Sequence, residues 1–376
     1  MILSSIHLKN FRSHKNTSIN FSEKINYIVG GNGQGKTSVL ESIYFLCTTK
    51  GYNSKSDIEV TRFNEKEFEI KGSFKDLTEN DIRIYFSLEE NRKYYFQNGK
   101  LINRISDVIG KFPVVILTPA DHSITQGSPG DRRKFVDSVI SQSSETYLKL
   151  LLDLNRTLRQ RSSLLIRIKE QNRRSQITYN ELDAWTLKLI DVGTEIINYR
   201  IKFIKEFNSY IKESYKRIME DDEIPEVTYL FLDGNKESEK RQLIKEVFHE
   251  LINKKREEEL RKAANMVGPQ RDEYLFEINN KELKTFGSQG QHKTFQIALK
   301  FAQFFYLKEK TGKTPVFLLD DVFGELDTNR SLKTSEYLKE TGQAFITLTD
   351  FSNMSFLKID EKDTVIRLKK SEVVYA

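Results

Sequence analysis

Cysteine is almost missing from this sequence: Cys47 is the only one among 376 residues. A lone thiol excludes an internal disulfide framework. Its apolar neighbours on a helical pattern mark Cys47 as a buried structural thiol rather than a reactive one. Only six prolines and one tryptophan occur, and no run of about 18 apolar residues exists that could span a membrane. The opening Met1-Ile2-Leu3-Ser4-Ser5-Ile6-His7-Leu8 alternates like a strand and lacks the apolar core of a signal peptide, so a cytoplasmic chain is expected. Repeats of fixed period and segments biased enough for disorder are absent too. Nor is the charge extreme: 60 Lys and Arg face 54 Asp and Glu, a net charge of +6 with pI near 9.0. That balance is compatible with a nucleic acid or another anionic surface and proves neither. What remains is ordinary water-soluble composition, long enough for two lobes with a large core.

Against this plain background one segment stands out, Gly30-Gly31-Asn32-Gly33-Gln34-Gly35-Lys36-Thr37, followed by Ser38. It fits the phosphate-binding pattern of glycine, four residues, then glycine-lysine-threonine. The glycines let consecutive backbone N–H groups approach phosphate oxygens, Lys36 reaches the β- and γ-phosphates, and the Thr37 hydroxyl suits Mg²⁺. The flanks agree. Ile25-Asn26-Tyr27-Ile28-Val29 reads as a buried strand, and Ser38 to Leu46 has helical spacing, which puts the phosphate at a helix N-terminus. ATP with Mg²⁺ is the expected cofactor.

A loop of this kind needs an acidic partner at the tip of a neighbouring strand. Pro315-Val316-Phe317-Leu318-Leu319-Asp320-Asp321 supplies it, a strand buried on both faces with Asp320 placed for the metal. Lys36 and Asp320 stand 284 positions apart, about twice what a minimal nucleotide-binding domain of roughly 100–150 residues holds. Something is inserted. After Pro113 to Leu117 and Thr118-Pro119-Ala120 the period changes to helical. Tyr147, Leu151, Leu154, Leu158, Leu165 and Ile168 keep a 3/4 spacing broken only by Arg161, and Leu182 to Phe203 keep it again. Joined by the polar stretch 169–175, these form either an antiparallel helical hairpin or part of a compact bundle. The expected fold is α/β: an ATPase head in two halves, 1–120 and 266–376, around a helical lobe at 121–265. Alternation at 67–74 and 81–88, with a turn at Asn98-Gly99, adds an antiparallel sheet beside the head.

Ser288-Gln289-Gly290-Gln291 precedes an amphipathic helix about 30 residues before the Asp320 strand, with Ser288 suited to cap it. Leu8 to Ser13, Gly30 to Thr37, Pro113 to Pro119, Gly127 to Asp137, Gly268 to Glu273, Ser288 to Gln291 and Leu318 to Asp327 together resemble the RecF family of SMC-like DNA replication and repair ATPases. The resemblance implies an ABC/SMC-type head and an ATP-dependent homodimer in which Ser288 to Gln291 of one subunit closes on the γ-phosphate held by the other. It implies that Arg12 approaches the phosphates and that Asp320 completes the metal site with Thr37. Asp321 then stands where a glutamate usually orients the attacking water, its shorter side chain implying slow hydrolysis. The strand ending at Thr349 lacks the switch histidine of transporters. Gln126 is the candidate for the Q-loop position, with Asp121 in the same region.

The same resemblance implies binding to duplex DNA and to single-strand/double-strand junctions, with RecO and RecR as partners in loading RecA. Seven basic residues between Asp153 and Arg174 (Arg156, Arg159, Arg161, Arg167, Lys169, Arg173 and Arg174) against two acids suggest a phosphate-contacting face. The main alternative, the ATP-binding subunit of a transporter, fits poorly with the missing histidine and the large insertion. A nuclease-fused SMC protein would need more than the roughly 50 residues that follow Asp327 in this sequence. Intact Lys36, Thr37 and Asp320 argue against a non-hydrolysing scaffold.

Overall fold

Ile25 to Val29, five buried residues without alternation, lead directly into the glycine-rich loop. The computed structural model describes residues 1–170, 176–219, 222–235, 241–350 and 359–374. These fall into two compact units: Met1–His122 with Glu213–Asp222 and Lys293–Ala376, and Ser123–Lys212 with Glu223–His292. In chain order, the first unit opens with β1 (Ile2–Phe11), β2 (His14–Asn20), β3 (Ile25–Val29) and β4 (Glu67–Lys75). It continues with β5 (Glu79–Ser87), β6 (Arg92–Gln97), β7 (Lys100–Leu101) and β8 (Val114–Leu117). Strands β9 (Pro225–Leu230), β10 (Glu273–Ile278) and β11 (Lys281–Glu282) belong to the second unit. The first unit then resumes with β12 (Val316–Leu319), β13 (Ala344–Leu348), β14 (Thr364–Lys369) and β15 (Glu372–Val374).

Two sheets build the first unit. The antiparallel one runs β2-β1-β4-β5-β6-β7, and in β5 the residues Ile82, Ile84 and Phe86 are buried while Asp81 and Arg83 face solvent. Asn98 and Gly99, at φ 50° and 75°, close the β6–β7 hairpin, because only such residues take this turn cheaply. The second sheet runs β15-β14-β3-β13-β12-β8 and is parallel from β14 to β8. Its strands β3, β12 and β13 are buried at every residue, hence their largely apolar sequences, interrupted only by Asn26 and Thr347. The helix Lys36–Thr48 contributes Val39, Leu40, Ile43 and Leu46 to one apolar cluster shared with Leu3 and Ile6 of β1 and Ile28 of β3. Cys47 is buried in the same cluster, and burial pushes its thiol pKa up, as a structural role requires.

The second unit corrects the expectation of a purely helical lobe ending at residue 265. Helices Pro129–Ser143, Glu145–Glu170 and Arg241–Lys262 and most of Gln176–Ile218 are joined there by the antiparallel sheet β11-β10-β9. β9 and β10 pair over six residues, from Pro225 opposite Ile278 to Leu230 opposite Glu273. That pairing holds 266–292 in this unit, so the chain returns to the first unit after His292. The alternation of Val227, Tyr229 and Phe231, all buried, was the local signal for β9. The two long helices follow their 3/4 spacing, with Leu154, Leu165, Leu182, Leu189 and Ile196 buried. They are not an isolated hairpin: Leu164, Leu165 and Leu182 share a cluster with Leu260 and Ala263, which is the bundle arrangement. Residues 171–175, which connect them, lie outside the described residues.

Two buried arginines organise this unit. Arg161, which breaks the apolar spacing, is 1% exposed and donates to Glu259 Oε2 at 2.8 Å, to Thr186 Oγ1 at 3.1 Å and to Asn265. Arg200 donates to both oxygens of Asp137 at 2.9 and 3.1 Å, to Asp272 Oδ2 at 3.0 Å and to the Pro269 carbonyl at 2.8 Å. Tyr229 also donates to Asp272, whose burial raises its pKa to about 6.

Candidate nucleotide site

Between β3 and the helix Lys36–Thr48 the chain turns through Gly33 at φ 75° and Gly35 at φ 95°, in the left-handed region that glycine enters freely. Gly35 is the N-cap, so the unpaired N–H groups of the first helical turn face the loop. Gly31, Asn32, Gly33 and Thr37 are exposed, Gln34 and Ser38 half-buried, and the loop opens outward as an anion cradle. Lys36 is buried and donates to the carbonyls of Gly30 at 2.7 Å and Gly31 at 3.1 Å. Burial lowers its pKa, while the charges of Asp321 and Asp320 oppose the shift. An ammonium bonded only to backbone carbonyls exchanges those partners readily for phosphate oxygens.

The loop is braced from behind. Gly30 lies so close to β14 that a Cβ there would come within 2.6 Å of the Leu368 carbonyl. Gln34 accepts the Lys370 N–H through its side-chain carbonyl. His14 is fully buried, its Nε2 3.1 Å from the Gly35 carbonyl and its Nδ1 3.1 Å from both the Ser371 carbonyl and Thr17 Oγ1. Each ring nitrogen thus faces a backbone carbonyl, and the Thr17 hydroxyl itself donates to the Ser371 carbonyl at 3.0 Å. Desolvation lowers the His14 pKa from its usual 6.5. The folded state therefore binds this proton less readily than the unfolded chain. Stability from His14 is fully present above pH 6.5 and is lost as pH falls through the lowered value. Thermal melts at pH 7.5 and 5.5 should show a drop on acidification that is smaller in His14→Gln; an equal drop in both would remove His14 as its source. The comparison with the variant is needed because Asp272, with a raised pKa, acts in the opposite direction.

Asp320, at the tip of β12 and 6% exposed, is where distant segments meet. Its Oδ1 accepts from Thr37 Oγ1 at 3.0 Å and from Thr347 Oγ1 of β13 at 2.9 Å. Its Oδ2 accepts from Tyr52 at 2.9 Å. Asp321 follows at φ 52°, exposed, its N–H bonded to Thr347 Oγ1 at 2.8 Å. Mg²⁺ takes oxygen ligands and keeps waters and substrate phosphates, with only one or two protein groups. The Thr37 hydroxyl and Asp320 carboxylate fit that requirement. Among the described residues no group of three or more His, Cys, Asp or Glu is placed to hold a metal ion.

The remaining candidates are placed as follows. Arg12, at φ 53°, makes a bidentate ion pair with Glu41 (2.8 and 3.0 Å), which in turn is 1% exposed. Asp121 caps Thr118 and pairs with Lys300 at 2.7 Å, while Gln126 ends a short helix in the second unit, exposed. Thr349 is exposed just past β13. In the second unit, Ser288 and Gln291 form a reciprocal cap: Ser288 Oγ accepts from Gln291 N at 3.1 Å and Gln291 Oε1 from Ser288 N at 2.8 Å. Ser288 and Gln289 are exposed, Gly290 is half-buried, and Gln291 also donates to Glu223 at 2.6 Å.

The family described as RecF/RecN/SMC N terminal domain matches residues 2–372. The DNA replication and repair protein RecF of Chloroherpeton thalassium is 40% identical over 367 residues, covering 95% of this chain and 97% of that protein. This chain belongs to the RecF family. Its counterpart in Salinibacter ruber is 35% identical, covering 93% of this chain and 85% of that protein. The solved structure of the recombination mediator protein RecF-ATPrS in the RecFOR pathway superposes with a TM-score of 0.89 at 31% identity, covering 99% of this chain and 97% of that one. The Smc head of Pyrococcus furiosus, at TM-score 0.56 and 16% identity, shares the fold alone. The RecF fold of this chain is thus an ABC/SMC-type ATPase head. Sequence reasoning missed Tyr52, Thr347, His14 and Glu41 in this RecF site, since none belongs to a contiguous motif.

Proposed function

We propose that this RecF-family chain is a Mg²⁺-dependent ATPase that binds DNA as an ATP-driven homodimer in recombinational repair and replication restart. The observation that carries the reading is the 3.0 Å bond between Thr37 and Asp320, which assembles a phosphate loop and a metal carboxylate from segments 283 residues apart. Lys36 and the loop N–H groups hold the β/γ-phosphates, Thr37 and Asp320 hold Mg²⁺, and Asp321 orients the attacking water. Hydrolysis is slow and resets the dimer. The capped helix start at Ser288–Gln291, with Ser288 and Gln289 exposed, is the surface offered to the partner's γ-phosphate. Residues 1–120 and 293–376 supply the ATPase lobe.

DNA contact is assigned to Arg156, Arg159, Arg167 and Lys169, all exposed on the helix Glu145–Glu170. Arg161 is withdrawn because it is buried against Glu259, and Arg173 and Arg174 lie outside the described residues. Action at single-strand/double-strand junctions with RecO and RecR, promoting RecA loading, is proposed from the family resemblance; the similar solved structure is that of a recombination mediator protein in the RecFOR pathway. No helix among the described residues is long and apolar enough to cross a membrane, and a cytoplasmic location is part of the proposal. RecF-family membership leaves the transporter alternative without support.

Mixing tests the shared sites. Ser288→Arg blocks the helix start with a long side chain, and Lys36→Ala removes the phosphate contact, so each variant alone should lose nearly all ATPase activity. A heterodimer pairs the intact loop of one with the intact helix start of the other. Random pairing at equal amounts should restore up to about a quarter of wild-type activity, since half the dimers carry one sound site of two. No restoration at any ratio, with ATP still bound by Ser288→Arg, would reduce Ser288 to an ordinary cap.

A further inference from the structure

Three hydroxyls converge on the Asp320 carboxylate, and two of them, from Tyr52 and Thr347, come from outside every motif of the chain. Tyr52 donates to Oδ2 at 2.9 Å, while Thr37 and Thr347 share Oδ1. Tyr52 lies in the segment after the helix Lys36–Thr48, whose end is turned by Thr49 at φ 64°. Its ring stands edge-on to Tyr44, centroids 5.6 Å apart at 83°. The preceding Gly51 is wedged against Glu41: a Cβ there would lie 2.5 Å from Glu41 Oε1 and 2.0 Å from Ser54 Oγ. Glu41 is itself locked by the two bonds from Arg12. The phenol is therefore delivered to the carboxylate by packed and ion-paired surroundings.

We propose that Tyr52 is a positioning residue that sets the Mg²⁺ affinity of the nucleotide site by fixing the orientation of Asp320. The inference rests on the reading that Thr37 and Asp320 hold the metal of ATP. When Thr37 gives its hydroxyl to the metal, Oδ1 loses a donor, and the carboxylate is left with Thr347 on one oxygen and Tyr52 on the other. Outer partners of this kind are worth about 10–100-fold in metal affinity when removed. Phenylalanine at this position would keep the ring against Tyr44 and delete only the hydroxyl.

The experiment titrates MgCl₂ at fixed ATP and follows the rise in melting temperature, which requires no turnover. Tyr52→Phe should raise the Mg²⁺ concentration at half-maximal stabilisation about tenfold or more, with the melting temperature in EDTA without nucleotide within a few degrees of wild type. Asp320→Asn runs beside it. A midpoint unchanged or lowered in Tyr52→Phe while Asp320→Asn shifts it strongly overturns the role of Tyr52 alone. If Asp320→Asn also leaves the midpoint in place, the metal reading fails and the inference falls with it.

Discussion

Gly35→Ala should abolish detectable ATP binding at concentrations that saturate the wild type. Two independent costs fall on the same methyl group. At φ 95° an alanine sits in left-handed backbone that costs roughly 1–2 kcal/mol. Its Cβ would also lie 2.7 Å from His14 Nε2 and 2.9 Å from Ser371 Oγ, in a buried brace that cannot yield at a flexible chain end. Overpacking of this kind costs about 1–3 kcal/mol more. If the loop moves to escape both, the N–H groups leave the phosphate positions, and the loss is on the order of a hundredfold or greater in affinity. Titration calorimetry with ATP decides it. Binding within threefold of wild type would show that the contact among His14, Gly35 and Ser371 does not shape the loop.

The second large effect is one of stability. Arg200→Met, close in length but uncharged, should destabilise the second unit by about 3–5 kcal/mol, because removing one member of a buried ion cluster strands the others. Asp272 is 3% exposed and would lose its cation while still facing Tyr229, and Asp137 would lose three hydrogen bonds. Adding Asp272→Asn to Arg200→Met should recover part of the loss, since the stranded charge is then gone. Urea unfolding followed by the fluorescence of Trp185, in this unit, measures both. A loss below about 1 kcal/mol for Arg200→Met would mean that water or rearrangement satisfies the carboxylates.

These expectations draw on different depths of information. The phosphate loop was readable because strand, glycine turn and helix are contiguous, and each depends on backbone preferences of a dozen neighbouring residues. The Asn98-Gly99 turn and the buried strands β3 and β12 were readable for the same reason. Arg161 was misread. A cation between polar neighbours looks like a solvated face unless its acid is known, and Glu259 stands 98 positions later in a mixed-charge run. Residues 266–292 were assigned to the wrong lobe because β10 finds its partner in β9, and pairing across about 50 residues leaves no mark in either segment alone.

The sequence by itself determined that a phosphate loop, an acidic strand end and a capped helix start exist in this chain, and that an insertion separates the phosphate loop from the acidic strand end. These are properties of local backbone geometry and periodicity, which nearby residues dictate. Only the tertiary structure decided that Thr37, Thr347 and Tyr52 meet on Asp320, that His14 braces Gly35, and that Arg12 is held by Glu41. Hydrogen bonds and ion pairs form between whichever groups the folded sheets bring within about 3 Å, and that proximity is set by the packing of segments far apart in the chain.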